Sequence, residues 1–134
     1  MKIKTLIVAI AAAFCALFAT GCADSPTDVV KDFVSAAQEG DFTAMKECTT
    51  GDLREFFGMI EEEMNKLSDK EQEKRRKEYI KEVEDDLKDI EYVSEDIDGD
   101  KATVKIKNAD GEEETIKLKK VDGKWKIVDI DHIS

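Results

Sequence analysis

The spacing of apolar residues predicts helices in the first part of the chain and strands in the last part. Across residues 26–87 apolar side chains recur every three or four positions, which is the repeat of one helical face. From Ile90 onward they alternate with polar side chains, which is the repeat of a strand that buries one face. We therefore expect an α+β fold in which N-terminal helices pack on one face of a sheet.

Short capping patterns mark where the first predicted helices begin and end. In the run Ser25-Pro26-Thr27-Asp28 the serine can cap a helix, proline suits its first turn, and an acid follows three residues after the serine. Gly40 ends this helix, and Asp41 can cap a short second one. The helical stripes expected to face the core are Val29, Val30, Phe33, Val34 and Ala37, then Phe42, Met45 and Cys48, then Leu53, Phe57, Ile60, Met64 and Leu67.

The last predicted helix has a long polar beginning. Ser68 and Glu71 form a capping pattern, but residues 69–78 contain no apolar side chain. The side chains that can dock this helix are Tyr79, Ile80, Val83 and Leu87. Its first half is therefore predicted to project into solvent or to bend the chain back.

Three Asp-Gly pairs predict the turns of a four-stranded antiparallel meander. They stand at residues 98–99, 110–111 and 122–123, each between alternating segments. Val128-Asp129 interrupts the last alternation, which predicts a bulge or a twist near the end of the strand. Lysines occupy most outward positions, and no acid is expected among the inward ones, which are Ala102, Val104, Ile106, Ile116, Leu118, Trp125 and Ile127.

The N-terminal segment has the three parts of a secretory signal. Lys2 and Lys4 precede a continuous apolar stretch that runs over residues 6–18, and small residues follow it. The run Ala19-Thr20-Gly21-Cys22 resembles a bacterial lipobox, which implies that residues 1–21 are removed and that Cys22 is lipidated. The uncharged span of 19 residues at positions 5–23 is also close to the length of a transmembrane anchor, which is the alternative interpretation.

The lipobox resemblance predicts the organisation and the location of the protein. We expect a signal peptide at residues 1–21, a lipidated tether at residues 22–25 and a single α+β domain at residues 26–134. The membrane is then a partner through the lipid on Cys22, and the location is the bacterial cell envelope. An outer membrane is favoured in a cell with two membranes, because no aspartate directly follows Cys22. Cys48 would be the remaining thiol, so the domain depends on its hydrophobic core rather than on an internal disulfide.

The charge balance excludes nucleic acid as an expected partner. The chain has a net charge of −11, and the predicted leader holds two of the 21 basic residues and none of the 32 acidic ones, so its removal leaves −13. An acidic protein is repelled by nucleic acid and by anionic membrane surfaces. The basic run at residues 74–77 is interleaved with Glu71, Glu73 and Glu78 at helical spacing, which indicates an exposed face of ion pairs.

Four short motifs carry a resemblance to a known fold family. They are residues 26–30, the corner at residues 39–42, the strand at residues 100–104 and the run Gly123-Lys124-Trp125-Lys126-Ile127. Over residues 25–131 the chain resembles the cystatin-like, nuclear-transport-factor-2-like cone, and in particular an uncharacterised bacterial lipoprotein family of that fold. The resemblance implies a curved four-stranded sheet wrapped around the helices with a hydrophobic cavity between them. Phe57, Tyr92 and Trp125 are the candidate residues for lining that cavity.

Candidate catalytic chemistry is sparse along the chain. Enzymes on this cone, such as ketosteroid isomerase, use a carboxylate base in the cavity, and nothing here matches them position by position. His132 is the only histidine, which is too little for a zinc site or a hydrolytic triad. The acidic run at residues 96–100 resembles the start of a calcium loop, but Lys101 and Lys107 occupy the sixth and twelfth positions. We therefore predict no catalytic residue, no metal site and no cofactor.

Three hypotheses about function follow from these observations. The first is a non-enzymatic envelope lipoprotein that acts as an accessory or protein-binding module. The second is a lipoprotein that carries a small hydrophobic ligand in the cone cavity. The third, and the least favoured, is an isomerase-like or hydratase-like enzyme.

Overall fold

A computed structural model describes residues 25–133, with side chains up to residue 131. Within this range four helices precede four strands, which confirms the predicted α+β class. The helices are α1 (Pro26–Glu39), α2 (Phe42–Glu47), α3 (Gly51–Asn65) and α4 (Asp69–Leu87). The strands are β1 (Glu91–Asp98), β2 (Lys101–Lys107), β3 (Glu113–Val121) and β4 (Lys124–Ile133).

The first helix begins and ends at the residues that the sequence predicts. The Ser25 hydroxyl accepts the Asp28 N–H at 3.1 Å, and the Asp28 carboxylate accepts the Ser25 N–H at 3.4 Å, which completes a capping box. Gly40 ends α1 in the left-handed region at φ +68°, and its N–H donates to the Ala36 and Ala37 carbonyls. The Asp41 carboxylate then caps α2 by accepting the Ala44 N–H at 3.1 Å.

The long helix α4 lies against the α1–α2 corner by its edge. None of its residues, all of which the structure describes, is fully buried. Its polar first half reaches back through Arg76, whose Nε donates to the Gly40 carbonyl at 3.2 Å. The docking residues Tyr79 and Leu87 are half-buried against the core. The first half of α4 was predicted either to project into solvent or to bend the chain back. The Arg76 contact shows that this half turns back onto the domain.

The four strands form one antiparallel meander in the order β1-β2-β3-β4. Of the bulge and the twist that the sequence allows near the end of β4, the structure shows the bulge. Lys117 pairs with Asp129 and Leu118 pairs with Ile127, which leaves Val128 without a cross-strand partner in the ladder. A further bulge, which the alternation did not predict, lies in β1 at Val93.

The inner face of the sheet and the helices share one hydrophobic core. Every predicted inward residue from Ala102 to Ile127 is buried, and Val30 and Ile127 have no exposed surface. Helix layer and sheet are also joined by hydrogen bonds: the Ile127 N–H donates to the Cys48 carbonyl at 2.8 Å, and the Thr50 N–H donates to the Ile127 carbonyl at 3.0 Å. Cys48 itself is half-buried at the end of α2 and packs against this core.

Candidate functional site

A cavity of about 610 Å³ opens between α3 and α4. Its position follows from the packing of the two helices. Although α3 and α4 are consecutive, α3 packs on α2 and β4 while α4 packs on α1, so a gap remains between them. The apolar residues that line it are Phe33, Ala37, Phe42, Met45, Phe56, Phe57, Ile60, Met64, Tyr79, Val83, Leu87 and Ile130.

Aromatic pairs hold the floor of the cavity in place. The Phe33 and Phe57 rings meet edge to face, with centroids 5.7 Å apart and planes at 68°. Phe42 and Tyr79 make a similar contact at 4.9 Å and 61°. Because such pairs fix ring orientation beyond what burial alone does, the floor is preformed.

A second cavity of about 540 Å³ continues the first along α3. The two share Phe56, Ile60, Met64 and Arg75, and we call them together the α3/α4 groove. Its outer wall carries two large apolar side chains in water, since Phe56 is 51% exposed and Met59 is 60% exposed. Phe56 also packs edge to face on Phe57 at 5.3 Å, which joins the exposed wall to the buried floor.

The edges of the α3/α4 groove are acidic. Six acidic side chains line it, against Arg75 as the one basic side chain among the described lining residues. The acids are Glu62 and Glu63 on α3, Glu78, Glu82 and Asp86 on α4, and Glu114 on β3. Glu63 pairs with Lys66 at 3.1 Å. The three acids of α4 are exposed, and no ion pair holds any of them within the described part of the chain.

The acidic row of α4 works against the stability of its own helix. Glu78, Glu82 and Asp86 follow one another at four-residue spacing, where like charges cost a few tenths of a kcal/mol for each pair. The last turn of α4 contains no basic residue, so its carboxylates also face the negative end of the helix dipole. Fold stability therefore does not explain this row.

Glu114 is a lining residue that the sequence analysis missed. We expected no acid among the inward positions of the sheet, and this expectation was wrong. β3 begins at Glu113, earlier than its apolar alternation shows, so Glu114 has the inward parity of Ile116 and lies opposite Ile106. Counting back by two from Ile116 could have found it.

Tyr79 brings a hydroxyl group into the cavity wall. Its oxygen lies 3.8 Å from the Met45 sulfur, and partial burial raises the pKa of the Tyr79 phenol. The phenol therefore stays protonated near neutral pH. It is a hydrogen-bond donor in a largely apolar wall rather than a base.

The three predicted lining residues do not come together. Phe57 lines the cavity, whereas Tyr92 lies on the edge strand β1 with the Lys31 ammonium 5.2 Å from its ring centre. Trp125 is in the core near the β3–β4 turn, and Lys120 covers its ring at 5.4 Å. The sheet reaches the cavity at the other end of β4, through Ile130.

Other predicted features are placed as follows. The lipobox residues Ala19, Thr20, Gly21 and Cys22 lie outside the described residues. Within residues 25–133 no helix is long and apolar enough to cross a membrane. Across the same range no group of three or more His, Cys, Asp and Glu side chains is placed to hold a metal ion.

The outer face of the sheet is rich in lysine, as the strand pattern predicts. Lys101 pairs with Lys119 across β2 and β3, with Asp98 of β1 opposite Lys101 and Lys126 of β4 opposite Lys119. Lys117 Nζ lies 2.9 Å from the Asp131 carboxylate, and that hydrogen bond raises the pKa of Lys117 and lowers the pKa of Asp131. A cavity of about 330 Å³ on this face has both signs of charge along its lining, so it favours no class of charged ligand.

Glu61 fixes the wall of the groove that α3 forms. Its carboxylate accepts the Thr43 hydroxyl at 2.6 Å and the Lys46 ammonium at 2.9 Å, which joins α3 to α2. The Glu61 side chain is only 24% exposed. The hydrogen bond from Thr43, and then the one from Lys46, hold the pKa of Glu61 below its ordinary value of 4.5.

Replacing Glu61 with glutamine is expected to lower the midpoint of thermal unfolding near pH 7. A lowered pKa means that the ionised carboxylate stabilises the fold above its ordinary pKa, and that this gain disappears as the pH falls through the lowered value. The difference in midpoint between the two proteins should therefore shrink below about pH 4. Glu62→Gln, at an exposed neighbouring position, is the control. An equal difference at neutral and acid pH would contradict the assigned role.

Comparison with known proteins assigns the chain to a family. Helices over one face of a four-stranded antiparallel sheet define a small α+β domain. The chain belongs to the family described as Domain of unknown function (DUF4878), which it matches over residues 20–128.

Two solved structures of bacterial proteins match the chain at low sequence identity. The chain is similar to a crystal structure of a candidate NTF2-like transpeptidase from Campylobacter jejuni, at 20% identity and a TM-score of 0.43, over 78% of this chain and 98% of that one. It is also similar to a solution structure of a SEC-C motif containing protein from Rhodopseudomonas palustris, at 16% identity and a TM-score of 0.46, over 75% and 72% of the two chains. No curated protein matches the chain.

Proposed function

We propose that the protein is a membrane-tethered, non-enzymatic binding module of the bacterial envelope, and that the α3/α4 groove receives a segment of another protein. The observation that carries this proposal is the groove itself. It joins a preformed aromatic floor to Phe56 and Met59, which are more than half exposed. Large apolar side chains that are grouped at the surface typically mark an interaction site.

The dimensions of the groove favour a polypeptide segment. From Phe56 to Met64 the α3 wall is about 12 Å long, a little over two helical turns. The groove stays open to solvent along this length, whereas a small-molecule site buries most of its ligand. A segment of two or three helical turns would cover Phe56 and Met59 together with the half-buried residues Tyr79, Val83 and Leu87 of α4.

The tether is part of the same proposal. Lipidation of Cys22 would leave only residues 23 and 24 before Ser25 caps α1, so the domain would be held close to the membrane surface. Mass spectrometry of the product purified from its own cells tests this. A mass equal to residues 22–134 plus acyl chains supports the tether, and a product that keeps Met1 contradicts it.

The acids of the groove favour binding over catalysis. Glu78, Glu82 and Asp86 are exposed, so they do not have the desolvated surroundings in which a carboxylate becomes an effective general base. Glu114 and Tyr79 are the remaining lining groups that an isomerase-like enzyme could use. The Tyr79 hydroxyl already contacts the Met45 sulfur, so it is not directed at a ligand alone.

Site-specific photo-crosslinking in living cells tests the groove. A photoreactive phenylalanine analogue at Phe56 or Met59 is expected to give a discrete crosslinked product. The same analogue at Lys105, an exposed position on the outer face of the sheet, is the control. Equal products from Lys105 and Phe56, or none from the groove positions, would contradict the proposal.

A small hydrophobic ligand is the second candidate occupant, because 610 Å³ is within the usual volume of ligand sites. A thermal-shift screen with lipophilic compounds separates the two. The small-ligand function requires stabilisation by a compound and its loss when Val83→Trp fills the wall. The protein-binding function requires the crosslink.

A further inference from the structure

We infer that the segment received by the α3/α4 groove is a basic amphipathic helix. This inference rests on the proposed function and names the class of its partner. The apolar walls would receive the apolar face of the helix, and the acidic edge of α4 would receive its lysine and arginine side chains. Grooves between helices commonly bind amphipathic helices in this manner.

The edge of α4 has two parallel rows at matching intervals. Glu78, Glu82 and Asp86 form an acidic row beside the apolar row of Tyr79, Val83 and Leu87, and both rows line the groove. Successive members are about 6 Å apart, and each row spans about 12 Å. A helix lying along the groove presents its own side chains at positions i, i+4 and i+8 with the same intervals.

The charges of the groove select a cationic partner. The acidic row of α4 raises the energy of the domain by itself, and no lysine or arginine within the described residues neutralises it through an ion pair. A basic helix would relieve the repulsion along the row and the unfavourable position of Asp86 in the last turn of α4. The structure thus supplies charge complementarity for a cation and apolar contact for the same ligand.

The apolar residues of the groove suit the varied apolar face of a helix better than a single side chain of fixed shape. Three methionines, Met45, Met59 and Met64, line the groove. Methionine is unbranched and polarisable, so it adapts to different apolar partners. The methionines would contact the apolar face of the bound helix. The acidic row of α4 would pair with its basic side chains and so set its register.

The same charges disfavour other occupants. A second copy of this chain carries the same acidic groove and a net charge of −11, so self-association would bring like charges together. An anionic bilayer is repelled for the same reason. A neutral lipid-like molecule would leave the acidic row unexplained.

Peptide binding to the purified protein tests the inference. The probe is a labelled peptide of about 18 residues built from leucine and lysine, with leucine at the spacing of one helical face. Two controls are a peptide with glutamate in place of every lysine and a peptide of the same composition in scrambled order. Fluorescence anisotropy is expected to show binding of the first peptide, weaker at about 0.5 M salt than at about 0.05 M. Equal binding of either control peptide would overturn the inference.

Neutralising the acidic row provides the decisive variant. The triple change Glu78→Gln, Glu82→Gln and Asp86→Asn is expected to weaken peptide binding about tenfold, the sum of three exposed ion pairs. Because it also removes repulsion within α4, this variant should unfold at an equal or higher temperature than the unmodified protein. If this unfolding temperature is found, a loss of binding is assigned to the lost charges and not to a loss of fold.

A matched triple change controls for net charge. Glu55→Gln, Glu84→Gln and Asp85→Asn remove the same three charges at exposed positions outside the groove lining. Binding is expected to change by less than about twofold, since screened charges outside the site contribute little. An equal loss in both triple variants would show that general charge, and not the groove, attracts the peptide.

The outcomes separate this inference from the proposed function. A crosslink at Phe56 together with failure of the basic peptide would overturn the partner class and leave the binding module standing. Failure of both would overturn both. Concentration-dependent dimers in sedimentation that disappear in a Met59→Lys variant would identify a second copy as the occupant and would also overturn the inference.

Discussion

Replacing Ile127 with alanine is expected to lower the free energy of unfolding by about 3 kcal/mol, because three buried carbon atoms are lost from a packed core. Ile127 has no exposed surface and lies in β4 opposite Leu118. Its backbone also joins the sheet to the helix layer at Cys48 and Thr50. A domain of this size has only about 5–15 kcal/mol in total, so this single change removes a large part of its stability. Denaturant unfolding measured by circular dichroism gives the value.

The matched control is alanine at Ile97. That side chain occupies a comparable position in the edge strand β1 but is 51% exposed, so its loss should cost less than about 1 kcal/mol. A similar cost at both positions would contradict the placement of the core. It would also question the junction through which β4 supports α3.

Local chemistry explains why much of the fold could be predicted from the sequence. The Ser25–Asp28 capping box, the Gly40 end and the Asp-Gly turns each depend on residues that are close in the chain. The alternation of the strands similarly determined which face is buried. Val128 could be assigned to a bulge because it breaks that alternation within its own strand.

The α3/α4 groove could not be predicted from the sequence, because it depends on which elements α3 and α4 pack against. Nothing local in α3 or α4 indicates that α3 packs on β4 while α4 packs on α1. Tyr92 and Trp125 were reasonable liners by residue type, yet their strand positions place them away from the gap. The Val93 bulge could not be predicted either, since β1 has no buried residue to mark its register and only Tyr92 is half-buried.

The acidic row shows the difference between a visible pattern and its meaning. Glu78 was expected from the sequence to lie on an exposed face of ion pairs; the residue is exposed, but no ion pair holds it within the described part of the chain. What the structure adds is that Glu78, Glu82 and Asp86 lie at the edge of an apolar groove. The sequence of α4 cannot show that these acids border a groove, because the opposite wall of the groove comes from α3.

Replacing Gly40 with alanine is expected to lower the free energy of unfolding by about 2–3 kcal/mol, from left-handed backbone strain and from crowding together. Gly40 has φ +68°, and a Cβ atom there would lie 2.6 Å from Cγ of Arg76 and 3.3 Å from Cγ1 of Ile80. To relieve this contact, either the Arg76 side chain changes rotamer and loses its hydrogen bond to the Gly40 carbonyl, or α4 moves away from the corner. Thermal and denaturant unfolding measure the cost.

Two controls separate the strain from the crowding. Gly111→Ala has a similar backbone, at φ +83°, but no atom within 4 Å of the new Cβ, so it should cost only about 1 kcal/mol. In an Arg76→Ala background the cost of Gly40→Ala should fall toward that value, because its nearest contact is gone. Equal costs at Gly40 and Gly111 would mean that α4 does not rest on the α1–α2 corner. Since α4 forms one wall of the α3/α4 groove, that result would also mean that packing on the α1–α2 corner does not hold this wall in position.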